Sequence, residues 1–256
     1  MTQGGVAVQL YTVRQFMQTR EDIANSLHRI REIGYRAVQS AGFGPLSPAE
    51  YRELLDREGL TLCGTHDSYE EMQTDLNKLI AERKVLGTDQ VCIAYLAKQY
   101  RENGASDWVK FAKAASEIGK RLADAGLTLS YHNHSFEFER FGKQPALEIF
   151  YAEADPRYVK AEIDTYWVQH GGGDPAAWCA RVKGRTSLVH FKDMTIIDGA
   201  QAMAEVGEGN LNWPAILKAC RDAGVQWYIV EQDVCQRDPF ESLAMSLENL
   251  RSWGLS

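Results

Sequence analysis

The chain has 256 residues, of which 45% are apolar and 25% are charged, and its formal net charge is −7. The composition is typical of a globular protein, and the acidic balance argues against a surface for duplex nucleic acid, which needs a basic face. No stretch approaches the ~18 consecutive apolar residues of a membrane-spanning helix, so a membrane partner is not expected.

The N-terminus and the cysteines suggest a compartment. Residues 1–5 show no basic region followed by an apolar run, so no signal peptide is expected. The five cysteines are an odd number, stand far apart and form no CxxC motif. This pattern fits neither a disulfide framework nor a zinc ribbon. We therefore expect reduced thiols and a cytoplasmic protein.

A unit of helix, glycine and short apolar strand recurs along the chain. In chain order, strands are predicted at residues 6–10, 36–40, 60–64, 90–95, 127–131, 158–163, 187–191 and 226–230. Helices are predicted between them at residues 20–33, 47–59, 75–86, 107–126, 145–152, 174–184 and 212–224, and after the last strand from 238 toward 250. Capping patterns at Thr19 and Ser47 mark two helix starts, and Gly34 marks a helix end.

The alternation of strands and helices predicts an α/β fold. Strands separated by helices pair in parallel, and eight such units in about 250 residues have the size of a (β/α)8 TIM barrel. A doubly wound open sheet is the alternative, but it usually carries a glycine-rich loop after its first strand, and residues 10–14 contain no glycine. Without a linker or a shift in composition, we predict a single TIM-barrel domain over residues 1–256.

Polar residues collect where the predicted strands end, which is where TIM barrels carry their catalytic groups. Because side chains alternate along a strand, Asp164, His190 and Glu231 share the inward direction on three consecutive strands. Two carboxylates and an imidazole, with one more oxygen or nitrogen ligand, form a divalent metal site. Such mixed ligation suits Mn²⁺ or Mg²⁺ first, with Zn²⁺, Co²⁺ and Fe²⁺ as alternatives.

A purely structural interpretation of these residues stays open. A histidine at a strand end is often satisfied by the fold itself, Asp164 could cap a loop, and Glu231 could pair with Lys192. The matched positions on three consecutive strands favour the metal site over this interpretation.

Several segments resemble the xylose-isomerase-like TIM-barrel family. They are YHNHSFEF at 131–138, EIDT at 162–165, VHFKD at 189–193, VGEGNL at 206–211, YIVEQD at 228–233 and VQLYTVR at 8–14. The family includes sugar-phosphate isomerases and epimerases, ketose 3-epimerases and inosose dehydratases. The similarity covers nearly the whole chain.

The resemblance implies a divalent metal held by four side chains from strands five to eight. Asp164, His190 and Glu231 match three of these positions. Many relatives have a glutamate on strand five, where this chain has His132 and His134 facing inward. We favour Glu137, which follows a few residues later, as the fourth ligand, with His134 or His132 as the alternative.

The resemblance also implies the reaction. A metal beside a sugar carbonyl acidifies the neighbouring C–H bond, and a positioned base removes the proton. We expect Glu231 to be a ligand and the base, and His132 or His134 to be its acid/base partner. Lys192 is expected to stabilise the developing negative charge, with a structural ion pair to Asp164 or Glu231 as the alternative.

The predicted function is a divalent-metal-dependent isomerase or epimerase of a ketose, an inosose or a 3-keto-sugar, and a dehydratase or lyase of such sugars is the alternative. An endonuclease-like barrel is less favoured, because the net charge is −7 and the chain lacks Lys/Arg clusters. A non-catalytic subunit is a further, less favoured alternative. The expected partner is a small, unphosphorylated carbohydrate, and relatives suggest a homo-oligomer. The predicted substrate-binding residues are Gln9, Tyr11, His66, Tyr95, Trp167 and His170.

Overall fold

Eight short strands pair in parallel and close into a barrel in the computed structural model, which describes residues 5–256. The strands are β1 Gly5–Gln9, β2 Ala37–Ser40, β3 Thr61–Asp67, β4 Gln90–Ile93, β5 Thr128–His132, β6 Val159–Asp164, β7 Thr186–Phe191 and β8 Trp227–Val230. The structure confirms the predicted TIM barrel. Residues 1–4, on which the signal-peptide prediction rests, lie outside the described residues.

Helical segments follow the strands and surround the barrel. The α-helices are α1 Arg20–Ile33, α2 Pro48–Glu58, α3 Tyr69–Leu86, α4 Ala105–Asp124, α5 Ala146–Glu153, α6 Thr165–His170, α7 Pro175–Arg181, α8 Trp213–Ala223 and α9 Pro239–Ser252. Short 3-10 helices lie at Leu10–Phe16, Lys98–Tyr100 and Phe136–Phe138. Both predicted capping boxes are present, with Thr19 and Ser47 as the N-caps of α1 and α2.

The barrel closes because its first and last strands pair with each other. Val6 on β1 stands in register with Tyr228 on β8, while the same strand pairs with β2 on its other side. The register also aligns the residues of the later strands. His132 is opposite Glu162, and Asp164 is opposite His190. Their side chains therefore meet at one end of the barrel.

Several element boundaries differ from the prediction. β3 continues to Asp67, and α3 begins at Tyr69 instead of residue 75. The helix is kinked at Asp75, whose side chain accepts a hydrogen bond from the backbone N–H of Lys78 at 3.0 Å. The predicted start therefore marks the second segment of this helix. Helix α6 follows β6 directly and was missed, because a single turn and a half shows too little periodicity.

Two hairpins were also absent from the prediction. One pairs Arg140–Phe141 with Gln144–Pro145, and the other pairs Asp193–Ile197 with Ala200–Ala204. The second turns at Asp198 and Gly199, both of which have positive φ. Positive φ at two central residues is the requirement of a tight hairpin turn. Both hairpins follow carboxyl ends of barrel strands, so they stand on the face that carries the polar residues.

Apolar packing occurs in two layers. The larger layer lies between the strands and the helices and includes Tyr131, Val189 and Phe191. The smaller layer fills the barrel interior with Ala7, Ala37, Cys63, Leu188 and Ile229. Closer to the carboxyl ends of the strands, the inward-facing residues are polar and form the candidate site.

No helix within residues 5–256 combines the length and the apolar character needed to cross a membrane. All five cysteines are free thiols, and four of them are buried.

Candidate active site

A cavity of about 980 Å³ opens at the carboxyl ends of the barrel strands. Eight of the predicted site residues line it, namely Tyr11, His66, Tyr95, His132, His134, Trp167, Lys192 and Glu231. Small-molecule sites typically have volumes of ~300–1,000 Å³, so the cavity has room for a sugar and a substituent. The position agrees with the rule that TIM-barrel sites lie at this face.

Four donor side chains from consecutive strands meet at the floor of this cavity, and we call them the donor cluster. They are His132 on β5, Asp164 on β6, His190 on β7 and Glu231 directly after β8, and their ligand atoms lie within 4.8 Å of one another. His190 Nδ1 is 3.0 Å from Glu231 Oε2, and His132 Nε2 is 3.3 Å from Asp164 Oδ2. All four residues are buried.

The ring of His190 is oriented from behind the donor cluster. Its Nε2 is 2.6 Å from Gln39 Oε1 and 3.0 Å from Glu162 Oε1, which leaves Nδ1 facing Glu231. A carboxylate or carbonyl on the far nitrogen is the usual support of a metal-binding histidine. Glu162 was not among the predicted site residues, although its position two residues before Asp164 gives it the same inward direction.

Glu162 also connects His66 to this arrangement. His66 Nε2 lies 2.5 Å from Glu162 Oε1, and its ring stacks on His190 with centroids 4.9 Å apart. Burial alone raises the pKa of Glu162, but the imidazoles of His190 and His66 hold that pKa well below its usual range. His66, predicted to bind substrate, therefore lines the cavity and supports its floor at the same time.

The fully buried Lys192 ammonium lies among three carboxylates. Its Nζ is 2.7 Å from Glu231 Oε2, 3.1 Å from Asp164 Oδ2 and 3.2 Å from Asp233 Oδ2. Burial alone lowers the pKa of Lys192, but these carboxylates raise it above its usual range. The structural ion pair of Lys192 with Asp164 or Glu231, which was the alternative prediction for this residue, is therefore present.

Asp233 is a further carboxylate of the cavity wall. Burial and the charge of Glu231 raise its pKa to about 6, although Lys192 opposes the shift. Asp233 lies two residues after Glu231 and therefore has the same inward direction along the chain, but it was not among the predicted site residues. Lys192 reaches both residues, and only the fold shows this.

The structure does not bring Glu137 into the donor cluster. The 3-10 turn Phe136–Phe138 directs its carboxylate to Tyr131, whose hydroxyl donates a hydrogen bond of 2.6 Å, and to the backbone N–H of His134 at 2.9 Å. Tyr131 belongs to the layer between strands and helices. The strand-five position in the donor cluster is instead held by His132, one of the two predicted alternatives.

His134 forms part of an aromatic wall beside the donor cluster. Its ring stacks on Phe136 and lies 5.5 Å from Trp167 and 5.2 Å from Tyr95. Burial lowers the pKa of His134 well below its usual value, so its ring is neutral at pH 7. The buried atoms His134 Nδ1 and Trp167 Nε1 have no hydrogen-bond partner within the described residues.

Two predicted substrate-binding residues do not line the cavity. Gln9 lies below its floor, where its Nε2 donates a hydrogen bond of 2.8 Å to Gln39 Oε1. His170 packs behind Trp167 with ring centroids 5.2 Å apart. Both residues contact the site only through other side chains.

The donor cluster fits a divalent cation better than the other groups of potential ligands. The described residues also bring together His66, His132 and His190, and His66, Cys92 and Glu162. The first of these groups has no carboxylate to balance the charge, and the second lies deeper in the barrel. In the donor cluster, Asp164 and Glu231 supply two negative charges, and Glu162 supports His190 from behind.

Asp193 stabilises a loop next to the site. Its buried carboxylate accepts hydrogen bonds from the backbone N–H groups of Gly207, Gly209 and Leu211 and from the indole N–H of Trp213. One aspartate thus holds the VGEGNL segment against the hairpin. A Cβ at residue 209 would collide with Asp193, so the loop requires glycine there.

The sequence profile described as xylose isomerase-like TIM barrel matches residues 27–253. No curated protein matched the chain. A solved sugar phosphate isomerase/epimerase from Parabacteroides distasonis is 24% identical, with a TM-score of 0.82 over 98% of this chain and 95% of that chain.

Two further solved structures have the same architecture. The 3-keto-D-glucoside 4-epimerase YcjR from E. coli is 16% identical, with a TM-score of 0.70 over 97% of this chain and 99% of that chain. The probable 3-DHS dehydratase AsbF from Bacillus anthracis is 14% identical, with a TM-score of 0.71 over 96% of this chain and 98% of that chain. At these identities the likeness concerns the fold.

Proposed function

Because the chain belongs to the xylose isomerase-like TIM-barrel family, we propose that it is a divalent-metal-dependent sugar isomerase or epimerase. In this proposal it moves a proton on the carbon beside a carbonyl group of a ketose, an inosose or a 3-keto-sugar. The observation that carries the proposal is the convergence of His132, Asp164, His190 and Glu231 at the floor of a sugar-sized cavity. The names of similar solved structures, which include a sugar epimerase, support it.

The proposed ligands are the four members of the donor cluster, and Mn²⁺ is the proposed ion. Their two carboxylate oxygens and two imidazole nitrogens form the mixed set that suits Mn²⁺. When bound, such an ion supplies Lewis-acid polarisation of a carbonyl group. The orientation of His190 by Glu162 and Gln39 supports this assignment.

The proton transfer is assigned to side chains that face the cavity. Glu231 is ionised, because Lys192 and His190 hold its pKa well below the usual range despite its burial. A carboxylate in this state can accept the proton that leaves the substrate carbon. In isomerisation Glu231 returns the same proton to the neighbouring carbon. In epimerisation the neutral imidazole of His134, on the adjacent wall, is the proposed relay: one ring nitrogen gives its N–H proton to the opposite face while the other takes a proton from water, and Glu231 releases its own proton to solvent.

Lys192 is assigned to the charge that develops on the substrate. Lys192 lines the cavity, and its ammonium is fixed by Asp164, Glu231 and Asp233. A cation held rigidly before the reaction begins stabilises a forming oxyanion without a cost of reorganisation. The aromatic wall formed by Tyr95, His134 and Trp167 is the proposed surface for the sugar ring.

A dehydratase or lyase on the same site is the second candidate. The observation that favours it is the position of Lys192 beside Asp233 and Glu231, where a proton donor and a base stand together. Loss of a β-hydroxyl group requires both, because the base removes the C–H proton while the leaving oxygen takes up another. The substrate then loses one molecule of water, whereas isomerisation conserves its composition.

The proposal is tested by metal analysis followed by isotope exchange. We expect close to one divalent ion per purified chain, and incorporation of solvent deuterium into at least one member of a panel of ketoses, inososes and 3-keto-glucosides. Nuclear magnetic resonance of the products then separates isomerisation from loss of water. A chain that binds no divalent ion, or that exchanges deuterium with no member of the panel, would contradict the proposed function.

A further inference from the structure

The cavity wall carries more negative than positive charge. Its lining contains five carboxylates, those of Asp67, Glu70, Glu71, Glu231 and Asp233, but only two cationic side chains. These two are Arg83 and Lys192. Whether an anionic substrate can bind therefore depends on whether either cation is available to it.

Arg83 is not available, because it forms a buried ion pair with Asp67. Its Nε lies 3.1 Å from Asp67 Oδ1, and the two side chains are only 4% and 2% exposed. The second oxygen of Asp67 accepts a hydrogen bond of 2.6 Å from the hydroxyl of Thr65. The guanidinium also lies over the ring of Phe43, at 4.8 Å from its centroid. The arginine is thus held in the wall by groups of the protein itself.

Lys192 is balanced in the same way by the three carboxylates around its ammonium. When a divalent ion occupies the donor cluster, its two positive charges and the one of Lys192 together face the three negative charges of Asp164, Glu231 and Asp233. Neither the lysine nor the proposed metal site leaves the cavity with a net positive charge. A phosphate or carboxylate group on a substrate finds no uncompensated cation there.

Glu70 and Glu71 add uncompensated negative charge at the start of α3. Glu70 accepts a hydrogen bond of 2.8 Å from the hydroxyl of Ser68, and neither glutamate forms an ion pair within the part of the chain that the structure describes. The N-terminus of a helix attracts anions, and here that position is taken by these two side chains. Because they line the cavity, they repel an anion that approaches the site.

The polar atoms that lack partners in this region suit a neutral ligand. The buried ring nitrogens His132 Nδ1, His134 Nδ1 and Trp167 Nε1 make no hydrogen bond within the described residues. Single ring nitrogens match hydroxyl and carbonyl groups, each of which needs one donor or one acceptor. A phosphate group needs several donors and a cation.

We infer that the site takes an uncharged sugar, and that Glu70 and Glu71 exclude sugar phosphates and sugar acids. This inference rests on the proposed function and adds the charge class of the substrate. It also predicts that the exclusion weakens as salt is added, because the two glutamates lie at the cavity wall within reach of solvent.

The test is equilibrium binding measured by calorimetry on the full Mn²⁺-loaded chain. The probes are D-fructose and methyl 3-keto-D-glucoside, each beside its own 6-phosphate. We expect the wild type to bind at least one neutral probe about tenfold more tightly than its phosphate. In the double variant Glu70→Gln and Glu71→Gln, the ratio of the affinity for the neutral probe to the affinity for its 6-phosphate should fall about tenfold, because two repulsive charges have been removed.

The double variant Glu241→Gln and Glu248→Gln is the matched control, because it removes the same two negative charges from exposed positions of α9 and should leave the ratio unchanged. The inference is overturned if the 6-phosphates bind as tightly as the neutral probes, if neither neutral probe binds, or if the double variant of Glu70 and Glu71 keeps the wild-type ratio. A neutral sugar that binds but exchanges no deuterium contradicts the proposed function and leaves the charge preference standing.

Discussion

Glu162 on β6 and His190 on β7 are joined by a contact of 3.0 Å between Oε1 and Nε2. The contact sets the direction of the imidazole, so its other nitrogen faces Glu231 and not the barrel interior. Burial alone would lower the pKa of His190, but Glu162 and Glu231 raise it to about 10. The carboxylate behind the histidine therefore shapes the donor cluster without being a member of it.

Replacing Glu162 with Gln should weaken metal binding. The variant keeps the shape of the side chain but loses the charge that supports His190, and such changes reduce metal affinity by about 10- to 100-fold. Calorimetric titration with Mn²⁺ measures the change. Glu137→Gln is a control with an equally buried carboxylate that lies outside the donor cluster. Equal affinity in the Glu162 variant and the wild type would show that His190 needs no such support.

The donor cluster itself can be tested by metal content. Asp164→Asn and His190→Ala should each purify with a small fraction of the metal in the wild type, because each loses a ligand. Asparagine keeps the oxygen that accepts the backbone N–H of Trp167 and so preserves the start of α6. Elemental analysis should find the wild-type metal content in Glu137→Gln. Loss of metal from that variant would restore Glu137 as the ligand that the resemblance suggested.

Replacing Lys192 with Met should make the protein depend on metal for stability. Removing the cation leaves Asp164 and Glu231 buried without their counter-charge, which costs about 3–5 kcal/mol of unfolding free energy when no metal is present. Added Mn²⁺ stabilises the native state by binding it, and it also supplies the missing positive charge. Thermal unfolding with and without Mn²⁺ should show a larger rise in Tm for the variant than for the wild type.

Glu137 should make stability depend on pH. Burial raises its pKa from 4.5 to about 7, although the hydrogen bond from Tyr131 opposes the shift. The folded state therefore binds the proton more tightly than the unfolded state does. The stabilisation is complete below about pH 4.5 and is lost as the pH rises to about 7, a change of about 3 kcal/mol at most.

Glu137→Gln removes this titration, so the variant should gain stability over the wild type as the pH rises. Urea unfolding at about pH 5 and about pH 8 measures, at each pH, the difference in unfolding free energy between the variant and the wild type. This difference should change by about 2–3 kcal/mol between the two pH values. A difference that stays constant between these pH values would mean that Glu137 remains ionised in the folded protein throughout.

Asp193→Ala should destabilise the protein without removing any member of the donor cluster. The carboxylate accepts hydrogen bonds from three backbone N–H groups of the 206–211 segment and from the indole of Trp213. Leaving such buried donors without a partner costs about 1–3 kcal/mol each, so a loss of roughly 3 kcal/mol or more is expected. Asp193→Asn keeps an oxygen acceptor, and urea unfolding should place it between the wild type and the alanine variant.

Much of the fold could be predicted because its signals are local. Apolar strand runs recur eight times along the chain, and capping residues such as Ser47 and glycines such as Gly34 mark several of the helix ends between them. Alternation within a strand also identified Asp164 and His190 as neighbours, because parallel strands in register bring equivalent positions together. The contact between His66 and Glu162 could not be predicted in this way. It joins β3 to β6 across the barrel and depends on closure.

The sequence by itself determined which strand-end residues face the barrel axis, since that depends only on the two-residue repeat of an extended chain. It could not decide between Glu137 and His132 for the strand-five position. Beyond the end of β5 the chain leaves the sheet, so the strand no longer sets the direction in which a side chain points. The 3-10 turn Phe136–Phe138 rotates the Glu137 carboxylate toward Tyr131 on the outer face, while His132 is still part of the strand and keeps its inward direction.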